Sequence, residues 1–79
     1  MRIPVPPKNN PLWADIVTGR KRFVLKSLGA KILLGRLMRS VGTAPTPDNI
    51  EHAVEQLHAI YAKNATSPSV QEDIQTIFG

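Results

Sequence analysis

The sequence predicts an all-α fold: a small three-helix arrangement with a short extra N-terminal helix and an extended Pro-rich arm. Apolar residues recur at spacings of three and four over most of the chain. No segment alternates with the period of two that marks a half-buried strand. Residues that start and stop helices stand at the ends of each periodic segment.

Residues 1–10, MRIPVPPKNN, have three prolines and no periodicity. Proline fixes φ and disfavours helix in the residue before it, so this segment reads as an extended arm. Residues 11–79 read as the helical domain. Asn10 offers an N-cap with Pro11 at the first helical position, and Gly19 offers a stop, which predicts a helix over 11–18. Leu12, Trp13, Ile16 and Val17 are its apolar residues. Two turns cannot hold themselves in water, so this helix must dock, with Trp13 as its anchor.

The second helix is expected over 20–41, ended by Gly42. At a helical period Phe23, Ala30, Leu34, Leu37 and Val41 share one arc, flanked by Met38 and interrupted by Ser27. Arg22, Lys26, Arg36 and Arg39 fall opposite, with Leu25, Ile32 and Leu33 among them. The outward face is thus both basic and aliphatic. Ser27, Gly29 and Ala30 make a small face that admits a neighbouring helix closely.

Thr46 followed by Pro47 and Asp48 starts a third helix over 47–63, with the acid placed against the helix dipole. Ile50, Val54, Leu57 and Tyr61 give it an amphipathic stripe. The segment NATSPS interrupts the pattern. Ser69 with Glu72 reads as a capping box opening a last helix over 70–78, which carries Val70, Ile74, Ile77 and Phe78. The expected core is Phe23, Leu34, Leu37, Val41, Ile50, Val54, Leu57, Tyr61, Ile74 and Phe78.

Size and composition bound the function. A chain of 79 residues buries only about 60% of its unfolded surface, so it stands as a tight bundle or is completed by association. It has no Cys, which excludes disulfides, thiolate metal sites and Cys nucleophiles. Cysteine absence fits a reducing compartment, and the prolines of the arm occupy the place of a signal peptide's apolar region. The expected location is the cytoplasm.

Residues 23–41 are long enough to span a bilayer, but Lys26, Lys31, Arg36 and Arg39 divide them. Each charge at the centre of a spanning helix costs about 2.5–3.5 kcal/mol, against a gain of roughly 0.5 kcal/mol per Leu. A transmembrane segment is excluded on that balance.

No constellation suggests catalysis. Glu55-x-x-His58 has the spacing of a bundle carboxylate-metal motif, but such sites need a second copy and further carboxylates. His52 and His58 are not spaced i, i+4, so they do not make a helical metal pair. Ser and Thr fall mostly in linkers and caps, where their hydroxyls serve the backbone. The glycines of SLGAKILLG sit inside an apolar helical period and do not form a phosphate loop. The reading is of a non-enzymatic protein without cofactor or metal.

Charge is divided along the chain. Residues 1–44 carry Arg2, Lys8, Arg20, Lys21, Arg22, Lys26, Lys31, Arg36 and Arg39 against Asp15, a balance of +8. Residues 45–79 carry Lys63 against Asp48, Glu51, Glu55, Glu72 and Asp73, a balance of −4, which together give the formal +4. In the plainest account the basic residues pair with Glu51, Glu55, Glu72 and Asp73 of the same chain. That leaves Leu25, Ile32 and Leu33 unexplained. A nucleic-acid partner would use GRKRF with Lys26, Lys31, Arg36 and Arg39 through counterion release, but aliphatic residues read base edges poorly. An anionic membrane surface would use the same face, although its polar arc is not clean.

The reading that accounts for most residues is a small accessory subunit that docks on a larger protein with an acidic surface. The arm and Trp13 would lie along that partner. Arg20, Lys21, Arg22, Lys26, Arg36 and Arg39 would meet its acids around Leu25, Ile32 and Leu33.

Overall fold

Local signals start most of the helices in the computed structural model, which describes residues 2–79; residue 1 of the expected arm lies outside them. Helix α1 spans Pro11–Val17. The Asn10 side chain accepts from the Leu12 N–H at 3.0 Å, Pro11 occupies the first position, and Gly19 leaves the helix at φ +78°. Helix α3 spans Pro47–Lys63, with Thr46 Oγ1 accepting from the Asn49 N–H at 3.2 Å. Asp48 in its first turn and Lys63 in its last both complement the dipole.

Three boundaries differ from the sequence expectation by two residues or more. Helix α2 spans Leu28–Thr43, so residues 22–27 have no regular secondary structure where a helix from 20 is expected. Gly42, expected to stop it, lies inside the helix, which runs on to Thr43 with Ala44 as its C-cap. Ser27, which interrupts the apolar arc of the sequence, is its N-cap, and the hydroxyl accepts from the Ala30 N–H. Helix α4 spans Pro68–Phe78, beginning earlier than expected. The Ser69–Glu72 capping box does not form: Ser69 lies inside the helix, and its hydroxyl meets that of Ser67 at 3.0 Å. Pro68 decides this start, because a proline at the first helical position gives up no hydrogen bond; Pro11 and Pro47 play the same part in α1 and α3.

The fold is all-α, with no strand among the described residues. Helices α1 and α2 both pack on α3, and α4 contributes Val70, Ile74 and Ile77 to the same core. Leu37, Val41, Val54, Leu57, Tyr61 and Ile74 are buried as expected, while Phe23, Leu34, Ile50 and Phe78 are half-buried against them. Gly29 serves the close approach foreseen for the small face, since a Cβ there would stand 3.3 Å from Ile60 Cδ1.

Trp13 occupies the centre. Its ring meets Phe78 at 4.9 Å, His58 edge-on at 5.4 Å and Tyr61 at 5.7 Å between centroids. Its Nε1–H donates to the Pro7 carbonyl at 3.0 Å, so the indole is buried without losing its hydrogen bond.

The buried charge is Asp73, fully enclosed on α4. One carboxylate oxygen accepts from the Lys26 N–H at 2.6 Å; the other accepts from the Ser27 N–H at 3.1 Å and the Tyr61 hydroxyl at 2.9 Å. A carboxylate buried without partners would cost several kcal/mol; here it lies at the positive end of α2 with donors on both oxygens. No buried side-chain nitrogen or oxygen among the described residues lacks a partner. Burial, then the Asp73 hydrogen bond and charge, push the Tyr61 hydroxyl well above its ordinary value of 10.0.

Replacing Asp73 by Ala should lower unfolding free energy by about 2–5 kcal/mol, because orphaned buried donors cost about 1–3 kcal/mol each. Urea denaturation checks this, with exposed Glu72→Gln as a control expected to change stability by less than about 0.5 kcal/mol. Tyr61 adds a pH signature. Its pKa is higher folded than unfolded, so its contribution is fully present below pH 10.0 and lost as pH rises above it. Wild-type stability should fall above that pH by up to about 1.4 kcal/mol per unit more steeply than that of Tyr61→Phe, measured by denaturation in alkaline buffers.

Candidate docking surface

The extended arm lies on its own chain. Ile3 pairs twice with Gln71 of α4: its N–H donates to Oε1 at 2.6 Å and its carbonyl accepts from Nε2 at 3.0 Å. Gln71 Nε2 also donates to the Ala65 carbonyl at 2.7 Å. The Pro6 carbonyl, which can only accept, takes a hydrogen bond from His58 Nε2 at 3.0 Å. Ile3 and Val5 pack against the core. The expectation that arm and Trp13 lie along a partner is therefore corrected. With no disulfide to staple it, the small domain uses the arm to cover one side of its own core.

Of the candidate contact residues, Trp13 and Leu25 are interior, at 0% and 5% exposure, and are not available to a partner. Leu25 turns inward because residues 22–27 are not helical; a helix from 20 would have pointed it out. Leu33 is half-buried against the core. Ile32 is 55% exposed, and Arg20, Lys21, Arg22, Lys26, Arg36 and Arg39 are all exposed.

The exposed aliphatic group is thus a different one. Val24 at 80%, Leu28 at 69% and Ile32 at 55% exposure run from the non-helical segment onto the outer side of α2. Four residues separate Val24 from Leu28, Leu28 from Ile32, and Ile32 from Arg36, and Arg39 returns seven beyond Ile32. On a helix these steps keep Leu28, Ile32, Arg36 and Arg39 to one side. Lys31 is exposed beside them. The signal that could have located this strip was Ser27, a strong N-cap residue in the middle of an otherwise apolar arc.

The cations of this strip have no ion-pair partner among the described residues. The one ion pair there is Arg20 with Asp15, at 3.8 Å. Asp73, expected among the neutralising acids, is committed to backbone amides and Tyr61. Glu51, Glu55 and Glu72 remain on the surface. Lys8 lies near Glu51 and Glu55, and Lys26 near Glu72, without forming an ion pair among the described residues.

Two other features complete the surface. His58, singled out with Glu55 as a metal motif, is bound to the arm and packed on Trp13. Among the described residues, no three His, Asp or Glu side chains gather to hold a metal ion, and no helix is long and apolar enough to cross a membrane. A groove of about 580 Å³ lies between the arm, α1 and α3, floored by Ala14, Pro47, Ile50 and Val54 and edged by Glu51 and Glu55. Comparison with protein-family models, curated proteins and solved structures finds no match to this chain.

Free in solution, Trp13 should fluoresce as a buried indole and resist acrylamide quenching. Gln71→Ala should speed amide exchange at Ile3 and lower stability by about 1 kcal/mol, as loss of a paired hydrogen-bonding side chain does. Exchange-resolved NMR of the free chain checks both the arm's attachment and its dependence on Gln71.

Proposed function

We propose that this chain is a non-catalytic accessory subunit that docks on a larger protein with an acidic surface, using the outer side of α2 and the segment leading into it. The observation that carries this reading is Val24, Leu28 and Ile32 exposed beside Lys31, Arg36 and Arg39, which have no ion-pair partner among the described residues. Magnitudes divide the labour. Burying an aliphatic side chain of this size contributes about 1.5–3 kcal/mol, whereas an exposed ion pair contributes about 0–1 kcal/mol. The aliphatic residues would therefore supply affinity. The cations would choose the sign of the partner and speed encounter.

A nucleic-acid partner would satisfy the cations but leave the aliphatic strip in water. It differs in salt response: phosphate binding falls steeply with salt, with log K linear in log salt. Docking through aliphatic area loses much less.

The experiment is mild affinity purification from the native source at moderate salt, with and without nuclease, using wild type and Ile32→Glu. The expected result is a protein partner that survives nuclease and is retained at least 30-fold less by Ile32→Glu, about 2 kcal/mol. The exposure of Ile32 predicts unchanged helicity for that variant by circular dichroism. Binding that vanishes with nuclease would overturn the reading in favour of nucleic acid.

A further inference from the structure

The acidic groove and the basic strip are complementary, and they sit on different parts of one chain. The groove has an apolar floor of Ala14, Pro47, Ile50 and Val54 with Glu51 and Glu55 one helical turn apart at its edge; Asn9 and one cation, Lys8, also line it. The strip offers three exposed aliphatic side chains, Val24, Leu28 and Ile32, among Lys31, Arg36 and Arg39. No residue belongs to both. Neither set of charges is neutralised by an ion pair within the chain among the described residues, where Arg20–Asp15 is the one pair present.

We infer that the groove receives the strip of a second copy of this chain, in a head-to-tail contact. This rests on the docking reading above and names a partner for the same strip. Charge selects this occupant over strip-on-strip pairing, which would set Lys31, Arg36 and Arg39 against their own kind. A groove of about 580 Å³ is within the range that encloses several apolar groups. Arg36 and Arg39, spaced i, i+3, would face Glu51 and Glu55, spaced i, i+4, while Leu28 and Ile32 cover Ile50 and Val54. With one strip and one groove used per pair of copies, the contact is heterologous. Each added copy leaves one free strip and one free groove, so association continues into a ring or an open chain. A terminal copy keeps a strip for docking elsewhere.

Sedimentation analysis of the purified chain tests this, at about 100 μM, where a contact with Kd of about 10 μM is mostly formed. Wild type should exceed the monomer mass and grow with concentration. Ile32→Glu, which loses the strip, and the double variant Glu51→Lys with Glu55→Lys, which loses the groove, should each be monomeric. All three positions are exposed, so both variants should fold, as circular dichroism would verify. Mixed together, the two variants should form a one-to-one heterodimer and nothing larger, because each supplies the surface the other lacks. A wild type that stays monomeric would overturn the inference. So would a mixture that stays monomeric, or a double Glu variant that still self-associates. If the wild type is monomeric yet native purification returns an Ile32-dependent acidic protein, self-association falls while the docking reading stands. Self-association with no other protein retained would do the reverse.

Discussion

The carboxylate of Asp73 is the interaction on which the rest of this structure depends. It is buried on α4, accepts backbone hydrogen bonds from Lys26 and Ser27, and takes the Tyr61 hydroxyl from α3. Three elements thereby meet at one charge. The two amides belong to the N-cap residue Ser27 and the residue before it, so Asp73 takes the part of the acid in a capping box from a distant part of the chain, beside the local cap given by the Ser27 hydroxyl. By claiming the Lys26 and Ser27 amides it ends the non-helical segment and fixes where α2 begins. The starting residue sets the phase of the helix against its leader, and so decides that Leu25 goes in while Val24 and Leu28 go out.

The arm answers a second constraint. A chain this short has too little interior to be secure without added fastening. Here the fastening is a strand-like pairing without a strand: Gln71 offers its amide to both the N–H and the carbonyl of Ile3, as a neighbouring backbone would. Prolines suit such a segment, because they lower the entropy lost on ordering and give up N–H groups that have no partner there. The Pro6 and Pro7 carbonyls are taken by His58 and Trp13, so the polar tips of two core-lining rings are satisfied by the arm itself.

These internal attachments sharpen the functional reading by subtraction. Trp13 and the arm are spent on the chain's own stability, and Asp73 is spent on α2. What remains unspent is the outer side of α2, with its cations and aliphatic groups, and the groove edged by Glu51 and Glu55. The oppositely charged halves pack together through their apolar faces and not through ion pairs, because exposed salt bridges contribute little whereas core packing dictates helix placement.

Much of the fold was legible from residue order. Asn10 with Pro11, Thr46 with Pro47, Gly19, and the inward stripes of α2 and α3 all act within a few residues of where they stand. Such signals are readable because helix capping and periodicity are local. Asp73 reads from residue order as one of the acids that pair with the basic half, although it falls beside the Val70–Ile74–Ile77 face of α4. Its backbone partners were not legible, since Lys26 and Ser27 lie 47 and 46 residues away. The same distance rule separates the remaining cases. The chain order determined an all-α protein with an extended N-terminal segment and a basic, aliphatic second helix. Only the tertiary structure decided that Trp13 and Leu25 belong inside, that the arm folds back, and that Val24 and Leu28 face water beside Ile32, whose outward position the helical period had already indicated. Those outcomes turn on hydrogen bonds and packing between residues far apart in the chain, which no local period encodes.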